Sequence, residues 1–139
     1  MKDKIFISNM CQAGWINSVI QNCPYKHPFI FSIFLEKDFV TFVKDFNQMD
    51  LTKFKKINYL ESKFFEVRNL FIWDRVNEAR GISTEECSVI EYQNGVQVIH
   101  PHVIKTDFDE LYNKRLSRFL DNDDKEIYFI FRVRKYVEK

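Results

Sequence analysis

Two runs of strand-forming residues, Cys87 to Tyr92 and Val96 to Val103, flank the triplet Gln93-Asn94-Gly95. Asn-Gly supplies the positive φ angles of a type I′ turn, so this stretch predicts a β-hairpin. A hairpin of this apolar character needs cover. The residues that follow supply it: Asp107-Phe-Asp-Glu110 reads as an acidic variant of the capping box, and Phe108, Leu111, Leu116 and Phe119 recur at helical spacing. A further apolar run, Ile127 to Val133, predicts another buried strand.

The first half of the chain repeats the alternation. Lys4 to Ser8 reads as a short buried strand, and Trp15, Ile16, Val19 and Ile20 form a 3.6-period stripe that predicts a helix over 12–22. Cys23-Pro24 and His27-Pro28 break that helix. Phe29 to Leu35 is continuously apolar, as expected of a central strand buried on both faces. Phe39, Val40, Phe42, Val43 and Phe46 then predict an amphipathic helix, with Asp38 at its start. Residues 50–78 fit helix or strand, with Leu70 to Trp73 favouring strand. The order β-α-β-α, an ambiguous middle, then hairpin-α-β predicts one α/β domain over 1–139, a three-layer sandwich with a mixed sheet. Fifteen phenylalanines against three glycines and three prolines suit a packed core without flexible linkers.

Charge narrows the function classes. Twenty-one basic and twenty acidic side chains give a net +1, without the basic excess that displaces counterions from nucleic acid. No apolar run has the length of a signal-peptide core or a membrane span. Three cysteines at unrelated spacings imply no disulfide framework, and a cytoplasmic location with reduced thiols is expected. No glycine-rich phosphate loop or serine nucleophile elbow is present. Neither a bound cofactor nor a metal is expected, since Cys11, Cys23, His27 and Cys87 lack the paired spacing of a zinc site.

Ligands of α/β sheets bind beyond the carboxyl ends of strands. The first such turn is Ser8-Asn9-Met10-Cys11-Gln12-Ala13-Gly14. A cysteine at a helix N-terminus is activated by unpaired N–H groups, and the same groups bind anions. Cys11 is therefore a nucleophile, part of an anion site, or a small buried hydrophobe. His100 and His102, two apart on a strand, share a face and either ligate a metal, supply a base to Cys11 or are ordinary hydrogen-bonded histidines; Pro101 between them implies the strand's edge or end. Arg115 and Arg118, three apart on a helix, either clamp an anion or pair with acidic neighbours in solvent.

The segment Ile7-Ser-Asn-Met-Cys11 with Gly14, His27-Pro-Phe-Ile, Phe34 and Asp38-Phe39, followed later by Val98-Ile-His100 and Tyr112-x-x-Arg115-x-x-Arg118, resembles a bacterial domain of unknown function associated with exopolysaccharide biosynthesis. The Ser-x-x-Cys turn and Pro-Phe segment are also similar to domains described as papain-like cysteine peptidases. Both resemblances imply an α/β domain with Cys11 near His100. The first implies a role in surface-polysaccharide metabolism, on a phosphorylated or sugar-nucleotide-like ligand or other anionic glycan precursor. In that reading Ser8, Asn9 and the turn amides up to Gly14 hold the anion, His102 lines the site, Arg115 and Arg118 clamp the charge, and His100 moves a proton. The second implies a hydrolase or acyl transferase with Cys11 as nucleophile and His100 as base. A non-catalytic module for anionic small ligands is the third expectation.

Overall fold

A computed structural model describes residues 3–10, 27–30, 32–68 and 84–132. Its strands are β1 (Asp3–Ser8), β2 (Ile33–Phe34), β3 (Lys55–Ile57), β4 (Cys87–Glu91), β5 (Gln97–Ile104) and β6 (Lys125–Ile130). The helices are α1 (Glu36–Asp45), α2 (Lys63–Glu66) and α3 (Lys105–Asp121). The predicted helix over 12–22 and the Leu70 to Trp73 run lie outside the described residues. The chain has an α/β fold with mixed strand pairing: β1 and β6 run parallel, and β2-β5-β4-β3 form an antiparallel sheet in that order. One backbone bond, Phe34 N–H to the Asn9 carbonyl at 3.0 Å, joins the two sheets at β1 and β2.

Side chains alternate between two cores, as the period of two along a strand requires. Phe34, Ile90, Val96 and Val98 face the larger core with Phe39 and Phe42 of α1 and Phe108, Tyr112, Leu116 and Phe119 of α3. Ile33, Val89 and Ile99 face the opposite way, with Cys87, Tyr59 and Phe64. Helices therefore cover both faces of the sheet. Among the described residues no helix is long and apolar enough to cross a membrane.

Several local expectations need correction. Among the described residues of the run from Phe29, strand is confined to Ile33–Phe34, because Pro28 has no N–H to give a ladder and residues 28–30 close a turn instead. Phe29 still fills the larger core, with the rings of Phe34, Phe42, Phe54 and Tyr112 5.1–6.4 Å away. Helix α1 begins at Glu36 without a side-chain cap, so Asp38 sits inside the first turn. Its carboxylate instead accepts from Lys63 Nζ and the Gln97 N–H. The hairpin has a three-residue loop rather than a two-residue type I′ turn. Gly95 N–H donates to Tyr92, Tyr92 N–H donates to Val96, and only the bulge position, Gly95 at φ +90°, is left-handed among the glycines described.

Pro101 lies neither at an edge nor at a strand end. Ser88 pairs with His100 but Cys87 pairs with Ile104, so the proline sits in a bulge inside a central strand, where its missing N–H breaks no ladder bond. Helix α3 starts at Lys105, ahead of the expected Asp107, directly after β5. Its buried stripe includes Tyr112 and leaves Leu111 half-buried, the reverse of the sequence pattern, because Tyr112 continues the Phe108, Leu116 and Phe119 face. Strand β6 is earlier than predicted and none of its side chains is fully buried, since it pairs only with β1. The ambiguous middle resolves into short 3-10 turns, the edge strand β3 and the one-turn helix α2.

Candidate functional site

The turn at 27–30 is held from two sides by histidines. His27 accepts the Phe29 N–H at Nδ1 (3.1 Å), so its proton lies on Nε2, which donates to the Phe6 carbonyl of β1 at 3.0 Å. His100 of β5 donates from Nε2 to the Pro28 carbonyl at 2.9 Å, because a carbonyl can only accept. Together these bonds link β1, the turn and β5 in one buried chain.

Both imidazoles are neutral near pH 7. Burial pushes His27 from 6.5 down to about 3; the Phe6 carbonyl opposes the shift, and the Arg115 charge and His100 add to it. Burial likewise pushes His100 down to about 4, opposed by the Pro28 bond and aided by Arg115. The ring of His100 packs 5.0 Å from Phe108 and 6.3 Å from Tyr112, centroid to centroid. Tyr112 donates its hydroxyl to the Leu51 carbonyl at 3.1 Å, and burial raises its pKa.

Arg115 stands one turn beyond Tyr112 on α3, half-buried, and burial lowers its pKa. Among the described residues it has no carboxylate partner. Lys56 pairs with Asp109 and Lys63 with Asp38, so the neighbouring acid Asp109 is turned to β3 instead. No aspartate or glutamate occurs in the sequence between Asp3 and Glu36, so the segment joining β1 to the histidine turn brings no counter-charge. Arg118 is exposed and takes no part in this cluster. The two arginines of the expected clamp thus differ in burial, Arg115 being half-buried and Arg118 exposed.

Asn9 also has a different role from the one expected. Its Nδ2 donates to the Arg132 carbonyl and its Oδ1 accepts the Arg132 N–H, each at 2.8 Å. Ser8 Oγ donates to that Oδ1 at 3.4 Å and accepts the Met10 N–H at 3.2 Å. These side chains continue the β1–β6 pairing past its end, and their polar atoms are committed to the fold. Cys11 and Gly14, like the His102 side chain, lie outside the described residues. Cys87 is buried and its thiol donates to the Pro101 carbonyl at 3.2 Å. Among the described residues no cluster of three histidine, cysteine or acidic side chains can hold a metal.

Two members of the site carry roles that the sequence does not announce. His27 reads as a breaker beside Pro28, yet it is 1% exposed and central. Ser88 is the one hydroxyl in the apolar strand Cys87–Glu91, and its register places it opposite His100. That offset of a polar residue directly across from a histidine was the available signal.

The fold and the cluster define an α/β domain with a neutral histidine pair near a partly buried arginine that has no carboxylate partner among the described residues. Set against known protein families, curated proteins and solved structures, the chain finds no match. The resemblances drawn from its residues rest on those residues alone.

Proposed function

We propose that the protein binds an anionic small molecule, a phosphorylated or sugar-nucleotide-like ligand of surface-polysaccharide metabolism, through Arg115. The observation that carries this reading is a half-buried guanidinium with no carboxylate partner among the described residues. A partly desolvated arginine is costly to keep unpaired, and a planar fork of five donors matches phosphate or carboxylate oxygens. Both adjacent imidazoles are neutral, so they neither repel the arginine nor satisfy it. The polysaccharide context comes from the order of residues that resembles the exopolysaccharide-associated domain.

Binding is favoured over proton transfer. His100 has its Nε2 proton on a backbone carbonyl and a pKa of about 4, which makes it a weak base at neutral pH. Titration of the protein with sulfate, followed by NMR shifts or calorimetry, tests the reading. Saturable binding that disappears in Arg115→Met, a change that keeps the apolar stem, is the expected result. Absence of binding to the wild type, or equal binding by the variant, overturns it.

A further inference from the structure

The atoms that the fold leaves unpaired beside this site point to the kind of ligand it takes. His100 Nδ1 and Ser88 Oγ are both buried side-chain atoms without a hydrogen-bond partner among the described residues, and each residue is 2% exposed. Such atoms are uncommon in folded proteins and each calls for an explanation. Here the two belong to residues paired across β4 and β5, so their side chains leave the sheet on the same face. That face is the one occupied by α3, where His100 meets Phe108 and Tyr112 and lies within reach of the Arg115 charge.

The chemistry of the two atoms is fixed by what surrounds them. With its proton committed to the Pro28 carbonyl, His100 presents a bare lone pair at Nδ1, which can be filled only by a donor. Ser88 presents a hydroxyl that can donate or accept. Directly opposed residues hold their Cβ atoms about 4.5–5.5 Å apart. One oxygen can therefore lie within hydrogen-bond distance of both, giving its proton to Nδ1 and accepting from Oγ. A hydroxyl group meets both demands; a fully ionised oxyanion meets only the second.

We infer that Ser88 and His100 together read a hydroxyl on the anion held by Arg115, so that the ligand class is a hydroxyl-bearing phosphate ester such as a sugar phosphate. This inference rests on the proposed role of Arg115. Both reading groups are closed from solvent, so the ligand enters by opening the packing around them. The hydroxyl then meets partners already stripped of water, where a missing donor is felt most strongly.

Three probes separate the two readings: sulfate, methyl phosphate and glucose 1-phosphate, titrated against the full chain. Sulfate reports the arginine site alone. Methyl phosphate and glucose 1-phosphate carry similar charge, but only the second has hydroxyls. Glucose 1-phosphate is expected to bind about tenfold more tightly than methyl phosphate, and Ser88→Ala to reduce that preference to about twofold. Equal affinity for the two esters in the wild type overturns the inference even if Ser88→Ala proves too unstable to assay. A preference that survives intact in a folded Ser88→Ala also overturns it, and assigns the pair to a bridging water or to direct contact. Failure of the wild type to bind sulfate defeats the arginine reading and this one with it.

Discussion

His100 Nε2 and the Pro28 carbonyl lie 2.9 Å apart across 72 residues of sequence, and both residues are buried. The bond fastens the turn at 27–30 to β5, an inner strand of the antiparallel sheet. Replacing His100 with phenylalanine keeps an aromatic ring against Phe108 but removes the donor. The stranded Pro28 carbonyl is expected to cost about 1–3 kcal/mol. Urea denaturation measures this, and an unchanged midpoint would show that the bond contributes nothing.

The same histidines make stability depend on pH. Both are held below the 6.5 of a free imidazole, His27 at about 3 and His100 at about 4. The unfolded chain therefore takes up protons that the native state refuses. Their contribution is fully present above about pH 6.5 and is lost as pH falls through the range down to about 4 and then 3. Each histidine is expected to add a slope of about 1.4 kcal/mol per pH unit over that range. Folding free energies at a series of pH values check this, and His100→Gln should lower the slope by about half between pH 6 and 5. A flat profile there would mean that neither imidazole is excluded from protonation in the native state.

Much of this architecture was legible because it is written locally. The hairpin, the α3 stripe and β1 follow from period and turn chemistry, and they appear within a few residues of where the sequence puts them. What escaped depends on contacts between distant segments. Asp38 looks like a helix start until Lys63 and Gln97 converge on it, and Asn9 looks like a ligand group until Arg132 arrives beside it. His27 looked like punctuation for the same reason, since its partner Phe6 lies in the preceding strand. Residues 50–68 defeated periodicity because their elements are only three or four residues long, too short to show a repeat.

The junction around Asp38 ranks two substitutions. Its carboxylate accepts from Lys63 Nζ at 3.0 and 3.1 Å and from the Gln97 N–H at 3.1 Å, while Gln97 Oε1 accepts the Lys63 N–H at 2.8 Å. The lysine side chain is 41% exposed, so water screens the ion pair. Lys63→Met is expected to cost about 0–1 kcal/mol. Asp38→Ala also strips the acceptor from a buried backbone N–H and is expected to cost about 1–3 kcal/mol. Thermal or chemical denaturation of both variants decides the order. A larger loss from Lys63→Met would place the weight on the ion pair instead.

Asn9 and Arg132 offer a test that separates architecture from ligand binding. The Asn9 amide is fully buried and exchanges two hydrogen bonds of 2.8 Å with the Arg132 backbone, as a neighbouring strand would. Asn9→Ala leaves both backbone groups without those partners and is expected to destabilise the fold by about 1–3 kcal/mol. Asn9→Asp should be worse. Its second oxygen would face the Arg132 carbonyl in place of the donor, and a buried unpaired charge costs several kcal/mol. Sulfate affinity of Asn9→Ala, measured well below its melting temperature, should match the wild type because Arg115 is untouched. A selective loss of sulfate binding in a folded Asn9→Ala protein would return this residue to the ligand site and show that its amide does more than extend the β1–β6 pair.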